Sequence, residues 1–296
     1  MFLTTIFCDI DDFCKQYKIF IATKRLKDNK VPNSGRPRTL SLSDVLTICV
    51  YFHFSGYHTF KRYYKDYVCK ELKSAFYGLV SYNRFVELMH EAAEPLALFA
   101  ATRNSKNMRG IAFIDSTKLT VCHNLRIHSH KVFKGIAARG KTSTGWFFGF
   151  KLHVVINHVG EILSFWVTPG NIDDRNISVV TRLTKKLWGL LFGDRGYISQ
   201  PLFECLFKRG LKLVTKIKKG MKNKIMMIYE KLFLRKRNIV ESANNIFKNT
   251  LKMDHTRHRC VINFFTNVFS AIAAYSYHPN KPAICKRLLA EIPSFI

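Results

Sequence analysis

The chain has 296 residues, and its 48 Lys and Arg residues outnumber 20 Asp and Glu residues, which gives a formal net charge of +28. Hydrophobic residues make up 47% of the chain and aromatic residues 14%, so a sizeable core can form, and disordered, collagen-like and low-complexity classes are excluded. A surface this basic repels itself unless its partner is a polyanion, and nucleic acid is the first such partner to consider.

The cysteines and the N-terminus indicate the compartment. The eight cysteines are scattered without a C-x-x-C pair, which is typical of reduced thiols in the cytoplasm. Asp9, Asp11 and Asp12 lie where a signal peptide would remain apolar. The charge-free stretch Cys260–Tyr277 has a polar stripe, which predicts an amphipathic helix rather than a membrane span. We therefore expect a cytoplasmic protein without a membrane partner.

The first 100 residues predict a helical N-terminal region. Apolar residues recur at helical spacing, with aromatic residues interleaved among Lys and Arg, and Ser43 is a candidate N-cap. The predicted helices span residues 44–54, 60–67, 71–77 and 82–98. This region is expected to bind DNA.

A basic arm precedes the first of these helices. In the segment Gly35–Arg38, Pro37 holds the backbone extended, so that Arg36 and Arg38 can reach into a DNA minor groove. The alternative is a solvated linker with no binding role.

From residue 101 the sequence predicts a mixed α/β domain. Ile111–Asp115 is a short apolar run, residues 146–156 and 161–168 form a predicted hairpin around Asn157–Gly160, and residues 175–187 form a helix. A strand at 190–194, a helix that Ser199 caps, and a strand at 211–217 follow. This order predicts a ribonuclease-H-like mixed sheet flanked by helices over residues 101–285, with a C-terminal tail at 286–296.

Two carboxylates follow buried strands in this scheme. Asp115 and Asp194 each end an apolar run, so neighbouring strands would bring them to one edge of the sheet. They would repel one another unless cations lay between them, and paired Mg²⁺ ions about 4 Å apart would remove that repulsion. The alternative is that each aspartate only caps the turn that follows it.

A third ligand is expected from a later helix, predicted over residues 232–248. Arg237, Glu241, Asn244 and Lys248 share one face of that helix, while apolar residues cover the other. Glu241 is either a metal ligand or an ordinary surface partner of Arg237, four residues earlier.

Basic residues surround this helix. Residues 206–259 contain 16 Lys and Arg against 3 acidic residues. Within this segment Lys216, Lys218 and Lys219 precede Gly220, and they can follow a DNA backbone or simply keep a loop soluble.

Two further clusters allow other interpretations. Cys122, His123, His128 and His130 could be drawn as a zinc site, but their spacing matches no common zinc motif, and a basic loop that touches phosphate is favoured. Asp173–Arg175 predicts the start of a helix, with aspartate stabilising its amino end.

Several segments together resemble the DDE transposases of bacterial insertion sequences, specifically insertion-sequence family 982. The segments, in order, are IAFIDSTKLTVCHN, VFKGIAARGKTSTGWFFGFKLHVV, VTPGNIDDRN, LFGDRGYISQ, MKN, LRKRNIVES and DHTRHRCVINF. The resemblance implies that Asp115, Asp194 and Glu241 are the catalytic and metal-binding acidic triad. Arg237-x₃-Glu241-x₆-Lys248 resembles the YREK arrangement, with Leu234 where that motif has tyrosine.

The sequence therefore predicts a nucleoid-associated DNA transposase. It would bind terminal inverted repeats, cleave phosphodiester bonds with two Mg²⁺ ions, for which Mn²⁺ can substitute, and join the ends to target DNA. Double-stranded DNA and further copies of the chain are the expected partners, with no small-molecule substrate. The expected DNA contacts are Arg36, Arg38, Lys216, Lys218, Lys219, Arg237 and Lys248. The alternatives are a ribonuclease-H-like nuclease or resolvase that cuts without joining, and a non-catalytic DNA-binding protein.

Overall fold

Ten α-helices and six strands are present in the computed structural model, which describes residues 2–27, 39–106, 108–143, 145–216, 226–254 and 258–285. The helices are α1 (Phe2–Lys27), α2 (Leu42–Tyr51), α3 (Phe60–Arg62), α4 (Tyr82–Glu91), α5 (Ala93–Thr102), α6 (Ile177–Leu183), α7 (Gln200–Phe207), α8 (Ile228–Arg235), α9 (Asn238–Asn245) and α10 (Val261–Tyr277). The strands are β1 (Arg109–Cys122), β2 (Ala138–Thr142), β3 (Gly145–Asn157), β4 (Ile162–Pro169), β5 (Trp188–Gly193) and β6 (Leu211–Thr215).

These elements divide into two compact units. The helical unit contains the described residues up to Arg103 together with those of Phe247–Tyr277. The sheet unit contains the described residues of Asn104–Ile246 and of the stretch that begins at His278. The predicted C-terminal tail, residues 286–296, lies outside the described residues. The predicted division at residues 100 and 285 differs from these units, because the segment that carries α10 groups with the N-terminal helices.

The N-cap of α2 in the helical unit is not the predicted residue. Ser41, rather than Ser43, caps α2, because its hydroxyl accepts the Asp44 N–H at 3.1 Å while the Asp44 carboxylate accepts the Ser41 N–H at 3.0 Å. The hydroxyl of Ser43 instead donates to Asp11 Oδ1 at 2.7 Å, which ties α2 to α1.

Two other expectations for the N-terminal helices differ from the structure. Residues 71–77 form turns rather than a helix. The single helix expected over residues 82–98 is divided into α4 and α5. Pro95 has no N–H, and its ring would clash with the carbonyl four residues earlier, so it is accommodated in the first turn of a new helix.

The sheet mixes antiparallel and parallel strands. β3 pairs antiparallel with β1 on one side and with β2 and β4 on the other, while β1, β5 and β6 are parallel. The strand order is β2-β3-β1-β5-β6, and β4 also pairs with β3. The predicted fold class is confirmed as a mixed sheet flanked by helices and preceded by a helical N-terminal region.

Helices cover both faces of this sheet. On one face α6 and α7 pack on Ile114, Val155 and Leu191 in a continuous buried cluster. On the other face the rings of Phe113 and Phe192 stack with centroids 5.4 Å apart, and Phe233 of α8 lies 5.9 Å from Phe192. Burial of each of these large side chains contributes about 1.5–3 kcal/mol, so the two layers fix the sheet that carries the acidic residues.

None of the helices in the described part of the chain is both long and apolar enough to cross a membrane.

Candidate active site

Asp115 and Asp194 occupy equivalent positions on two neighbouring parallel strands. The parallel pairing of β1 with β5 ends at Phe113 and Phe192, and each aspartate lies two residues beyond its phenylalanine. β1 itself does not end at Asp115, as the apolar run had suggested, because it stays paired with β3 as far as Cys122. The end of the parallel pairing, rather than the end of a strand, therefore brings the two aspartates to one edge.

Burial makes Asp115 a weak acid. The pKa of its carboxyl is raised from 3.8 to about 7, chiefly by loss of solvent and to a smaller extent by the nearby carboxylates of Asp194 and Glu241. The Ser116 N–H and the Arg237 guanidinium act in the opposite direction. Both other acids of the predicted triad thus lie close enough to Asp115 to interact with its charge.

Asn244 of α9 contacts Asp115 directly. Its Nδ2 donates to Asp115 Oδ2 at 3.0 Å, and its side chain is buried. Its Oδ1 is buried without a hydrogen-bond partner among the described residues. The polar face that the sequence predicted for this helix therefore lies toward the sheet at Asn244. The buried amide oxygen of Asn244 lies beside the Asp115 carboxylate and could act as a metal ligand.

The helix that carries Asn244 and Glu241 is shorter than expected. The predicted helix over residues 232–248 is divided into α8 and α9, and a π-helical segment begins at Ile246. α9 packs on β1, and its residues Val240 and Ala243 are fully buried. The separate α9 sets the direction from which Glu241 approaches the sheet.

Glu241 forms an ion pair with Arg237. The Arg237 Nη2 group donates to Glu241 Oε1, which is the surface pairing that the sequence left as an alternative. The Glu241 side chain is 50% exposed, whereas that of Arg237 is 13% exposed. In the described part of the chain, no three His, Cys, Asp or Glu side chains are placed to hold a metal ion, and this includes the Cys122–His130 cluster.

The donor atoms at this edge nevertheless fit Mg²⁺. Asp115, Asp194 and Glu241 supply carboxylate oxygens and Asn244 an unsatisfied amide oxygen, which are the hard ligands that this ion selects. Glu241 has to leave Arg237 before it can contribute. That exchange would leave the Arg237 guanidinium, whose side chain is only 13% exposed, in need of another anionic partner.

A second polar cluster lies on the opposite face of β1, and the sequence did not predict it. Ser116 Oγ donates to Asp174 Oδ1 at 2.8 Å, and Lys151 Nζ donates to the same oxygen at 3.1 Å and to the Ile172 carbonyl at 2.9 Å. Tyr197, buried in the core, has its pKa raised first by burial and then by Asp115, Asp174 and Asp194. The cluster therefore lies near both aspartates of the candidate site.

The segment that carries Asp174 was expected to start a helix. Instead α6 begins at Ile177 with Asn176 as its N-cap, because the Asn176 Oδ1 accepts the Val179 N–H at 3.1 Å. Asp174 is thus free to bind Ser116 and Lys151 of the sheet. Lys151 is a buried cation in a mostly apolar strand, and such a residue indicates a carboxylate partner.

The structure describes three of the seven predicted DNA contacts. Lys216 is exposed directly after β6 in the sheet unit, and Arg237 pairs with Glu241. Lys248 belongs to the helical unit, where its Nζ lies 3.7 Å from Asp254 Oδ2. Arg36, Arg38, Lys218 and Lys219 lie outside the described residues.

Comparison with known proteins decides the family. A family model described as the transposase DDE domain matches residues 105–261, which is more than half of the chain. The chain belongs to the transposase DDE domain family. The match covers the sheet unit from just before β1 and includes Asp115, Asp194, Glu241 and Asn244.

Comparisons with curated proteins and with solved structures give less information about the family. No curated protein matches this DDE domain chain. Among solved structures, the piggyBac transposase synaptic complex with hairpin DNA is similar at 13% sequence identity and a TM-score of 0.38. The similarity covers 69% of this chain and 48% of that chain, so this chain spans about half the length of the structure that it matches.

Proposed function

We propose that the chain is a DNA transposase of insertion-sequence family 982. It binds the terminal inverted repeats of its element, cleaves phosphodiester bonds at the ends, and joins the ends to target DNA. Membership of the transposase DDE domain family supports this reaction class, and the seven motif segments support the narrower assignment.

One observation carries the proposal. Asp115 and Asp194 lie at matching positions on adjacent parallel strands, inside the span that matches the DDE domain. Two carboxylates placed in this way repel each other, and a cation between them removes the repulsion. We therefore assign Asp115, Asp194 and Glu241 as the residues that hold two Mg²⁺ ions, for which Mn²⁺ can substitute.

Each residue at this edge has a separate task. The bound ions would stabilise the negative charge that develops on the phosphate and on the leaving oxygen in an in-line displacement. Asn244 holds Asp115 in place through its Nδ2 group. Arg237, once Glu241 has left it, becomes available to bind a phosphate of the DNA backbone.

The DNA contacts extend beyond this edge. We propose that Lys216, Lys218, Lys219 and Lys248 bind DNA backbone and that the arm with Arg36 and Arg38 enters a minor groove. The helical region of residues 1–100 would bind the element ends, and further copies of the chain would bring two ends together. The protein would act in the cytoplasm, on the nucleoid.

The test uses the purified full chain, Mg²⁺, and a plasmid that carries the inverted repeats flanking the gene. We expect cleavage at the repeat ends and joining to a second, target plasmid. The Asp194→Ala protein should bind the same DNA and cleave none of it. Cleavage without joining would indicate a nuclease or resolvase, and cleavage that survives in the Asp194→Ala protein would remove Asp194 from the site.

A further inference from the structure

A cavity of about 470 Å³ lies beside the candidate active site. Its walls come from β2, β3 and the loop of residues 170–175, and Gly196 closes one side. The N–H of Gly196 donates to Asp194 Oδ1 at 2.8 Å, so the cavity and the acidic site share this short loop. The volume is in the range of pockets that hold small organic groups, about 300–1,000 Å³.

Two glycines allow the walls to approach this closely. A Cβ atom on Gly140 would lie 2.1 Å from the Gly170 carbonyl oxygen, and one on Gly170 would lie 2.7 Å from the Ala138 carbonyl oxygen. Backbone atoms cannot move aside as a flexible side chain can. Glycine at both positions therefore allows β2 to pack directly against the 170–175 loop. This packing brings the cationic side chains of β2 to the cavity.

The mouth of the cavity carries an exposed tryptophan with two cations. The Trp146 side chain is 51% exposed. The Arg139 guanidinium carbon lies 4.9 Å and the Lys141 ammonium 5.6 Å from the centroid of its ring. Lys141 pairs with Trp146 across the β2–β3 ribbon, and Arg139 lies two residues away on the same face.

The acidic residues of the cavity are already neutralised. Asp173 binds Arg175 through two hydrogen bonds of 3.0 and 2.8 Å, which lower the pKa of Asp173 to about 2. Asp174 binds Lys151, whose side chain is itself buried. Among the described residues, Arg139 and Lys141 form no ion pair, so the cavity retains an excess of positive charge. It can accept an anion.

We propose that this cavity, the Trp146 cavity, binds an unpaired nucleotide of single-stranded DNA. The base stacks on the Trp146 indole, and the phosphates on either side bind Arg139 and Lys141. A base inside a duplex has both faces covered by its neighbours, so only an unstacked base can present a face to the indole. The inference rests on the proposed function in one respect, since it takes DNA as the substrate.

The position of the Trp146 cavity relates it to the proposed cleavage reaction. The cavity adjoins the acidic site at one short loop, because Gly196 lines the cavity and its N–H binds Asp194. A nucleotide held there would lie close to the loop that carries Asp194, so its capture would hold a DNA strand near the acidic site.

The test measures binding of fluorescein-labelled single-stranded oligothymidylate to the full chain without divalent metal, beside a blunt duplex of mixed sequence. We expect Trp146→Ala to weaken oligothymidylate binding about 10-fold, the size typical of one lost base stack, and Trp146→Phe to restore most of it. Duplex binding should change less than about 2-fold. The tryptophan that stacks should also show quenched fluorescence in the wild-type complex.

Trp166 provides a matched control. It is another exposed tryptophan with an arginine over its ring, Arg182 at 3.7 Å, but it lies on β4 outside the cavity. Trp166→Ala should leave oligothymidylate binding unchanged. Removal of Arg139 and Lys141 together should reduce the slope of log K against log salt by about 1.4, because each lost phosphate contact on a single strand contributes about 0.7.

Three outcomes would overturn the proposal. They are equal losses for Trp146→Ala and Trp166→Ala, equal losses for oligothymidylate and duplex, and no loss for a Trp146→Ala protein that circular dichroism shows to be folded. The proposed function is tested apart from this, because the binding assay contains no metal and requires no cleavage. A chain that binds oligothymidylate through Trp146 but cleaves no DNA would keep this site and lose the transposase assignment.

Discussion

Asn244 Nδ2 donates a 3.0 Å hydrogen bond to Asp115 Oδ2 and so joins α9 to β1 at the buried end of the acidic cluster. Replacement of Asn244 by Ala removes the donor that favours the ionised form of Asp115. We expect cleavage to fall about 10- to 100-fold, as is typical when a partner of a metal ligand is lost, and its pH profile to move toward higher pH. The rate measured against pH checks this.

The matched control for Asn244 is Ser242→Ala, an exposed polar position on the same helix. Its pH profile should coincide with that of the wild-type chain. If Asn244→Ala lowers the rate equally at every pH, the residue has only a packing role.

The raised pKa of Asp115 has a consequence for stability. The folded chain keeps this proton up to about pH 7, while the unfolded chain releases it near its ordinary value of 3.8. The folded state thus binds more protons between these values, so this residue lowers the free energy of unfolding as the pH rises from 4 to 7. Asp115→Asn should raise the Tm at pH 8 in metal-free buffer and change it little at pH 4.

The control for that experiment is Asp12→Asn on α1, whose carboxylate is largely exposed. Its effect on the Tm should be small at both pH values. An Asp115→Asn protein with the wild-type Tm at pH 8 would show that the carboxyl does not carry a buried charge.

Glu241 should be dispensable for stability and required for cleavage. Its side chain is 50% exposed, and a glutamine there keeps an oxygen that can accept the hydrogen bond from Arg237. We expect Glu241→Gln to change the free energy of unfolding by less than about 1 kcal/mol and to abolish Mg²⁺-dependent cleavage. Denaturant titration and the plasmid assay measure the two effects on one preparation.

Glu204→Gln is a close control for Glu241, because Glu204 is an exposed helical glutamate that also accepts a hydrogen bond from the residue four positions earlier, at 2.8 Å from Gln200. It should retain full cleavage. Residual cleavage by Glu241→Gln at the wild-type rate would exclude Glu241 from the acidic triad.

The close approach of β2 to the 170–175 loop predicts that one added methyl group on Gly140 lowers the stability of the fold. In Gly140→Ala the new Cβ would meet the Gly170 carbonyl oxygen at 2.1 Å, so the backbone has to shift. Overpacking of this kind costs about 1–3 kcal/mol, which thermal unfolding detects. Lys141→Ala, at the exposed neighbouring position, should stay within about 0.5 kcal/mol, and similar Tm values for the two variants would contradict the geometry.

Local patterns predicted much of the sheet unit. The hairpin around Asn157–Gly160, the strands β5 and β6, and the Ser199 cap of α7 follow from β-branched and aromatic runs, turn residues and a serine before proline. Asp194 directly follows β5, as the apolar run before it predicted.

The remaining features depend on partners that are distant in the chain. β1 continues past Asp115 because β3 pairs with it as far as Cys122. The residues that follow Asp115 are largely polar, so their own sequence does not indicate that the strand continues. Asp174 binds Ser116 and Lys151, which lie 58 and 23 positions away in the sequence. No local spacing of residues therefore predicts this cluster. Asn244 contacts Asp115 across 129 positions, so this pairing also has no local signal in the sequence.

The grouping of α10 with the N-terminal helices affects how the protein can be dissected. Residues 263–275 supply a large buried surface to that unit, including Phe264, Val268 and Tyr275. An excised fragment that stops at Arg103 would leave its apolar faces uncovered and would aggregate rather than bind a ligand. A fusion that joins residues 2–103 to 247–277 through a flexible linker supplies the missing helix and is the smallest piece worth expressing.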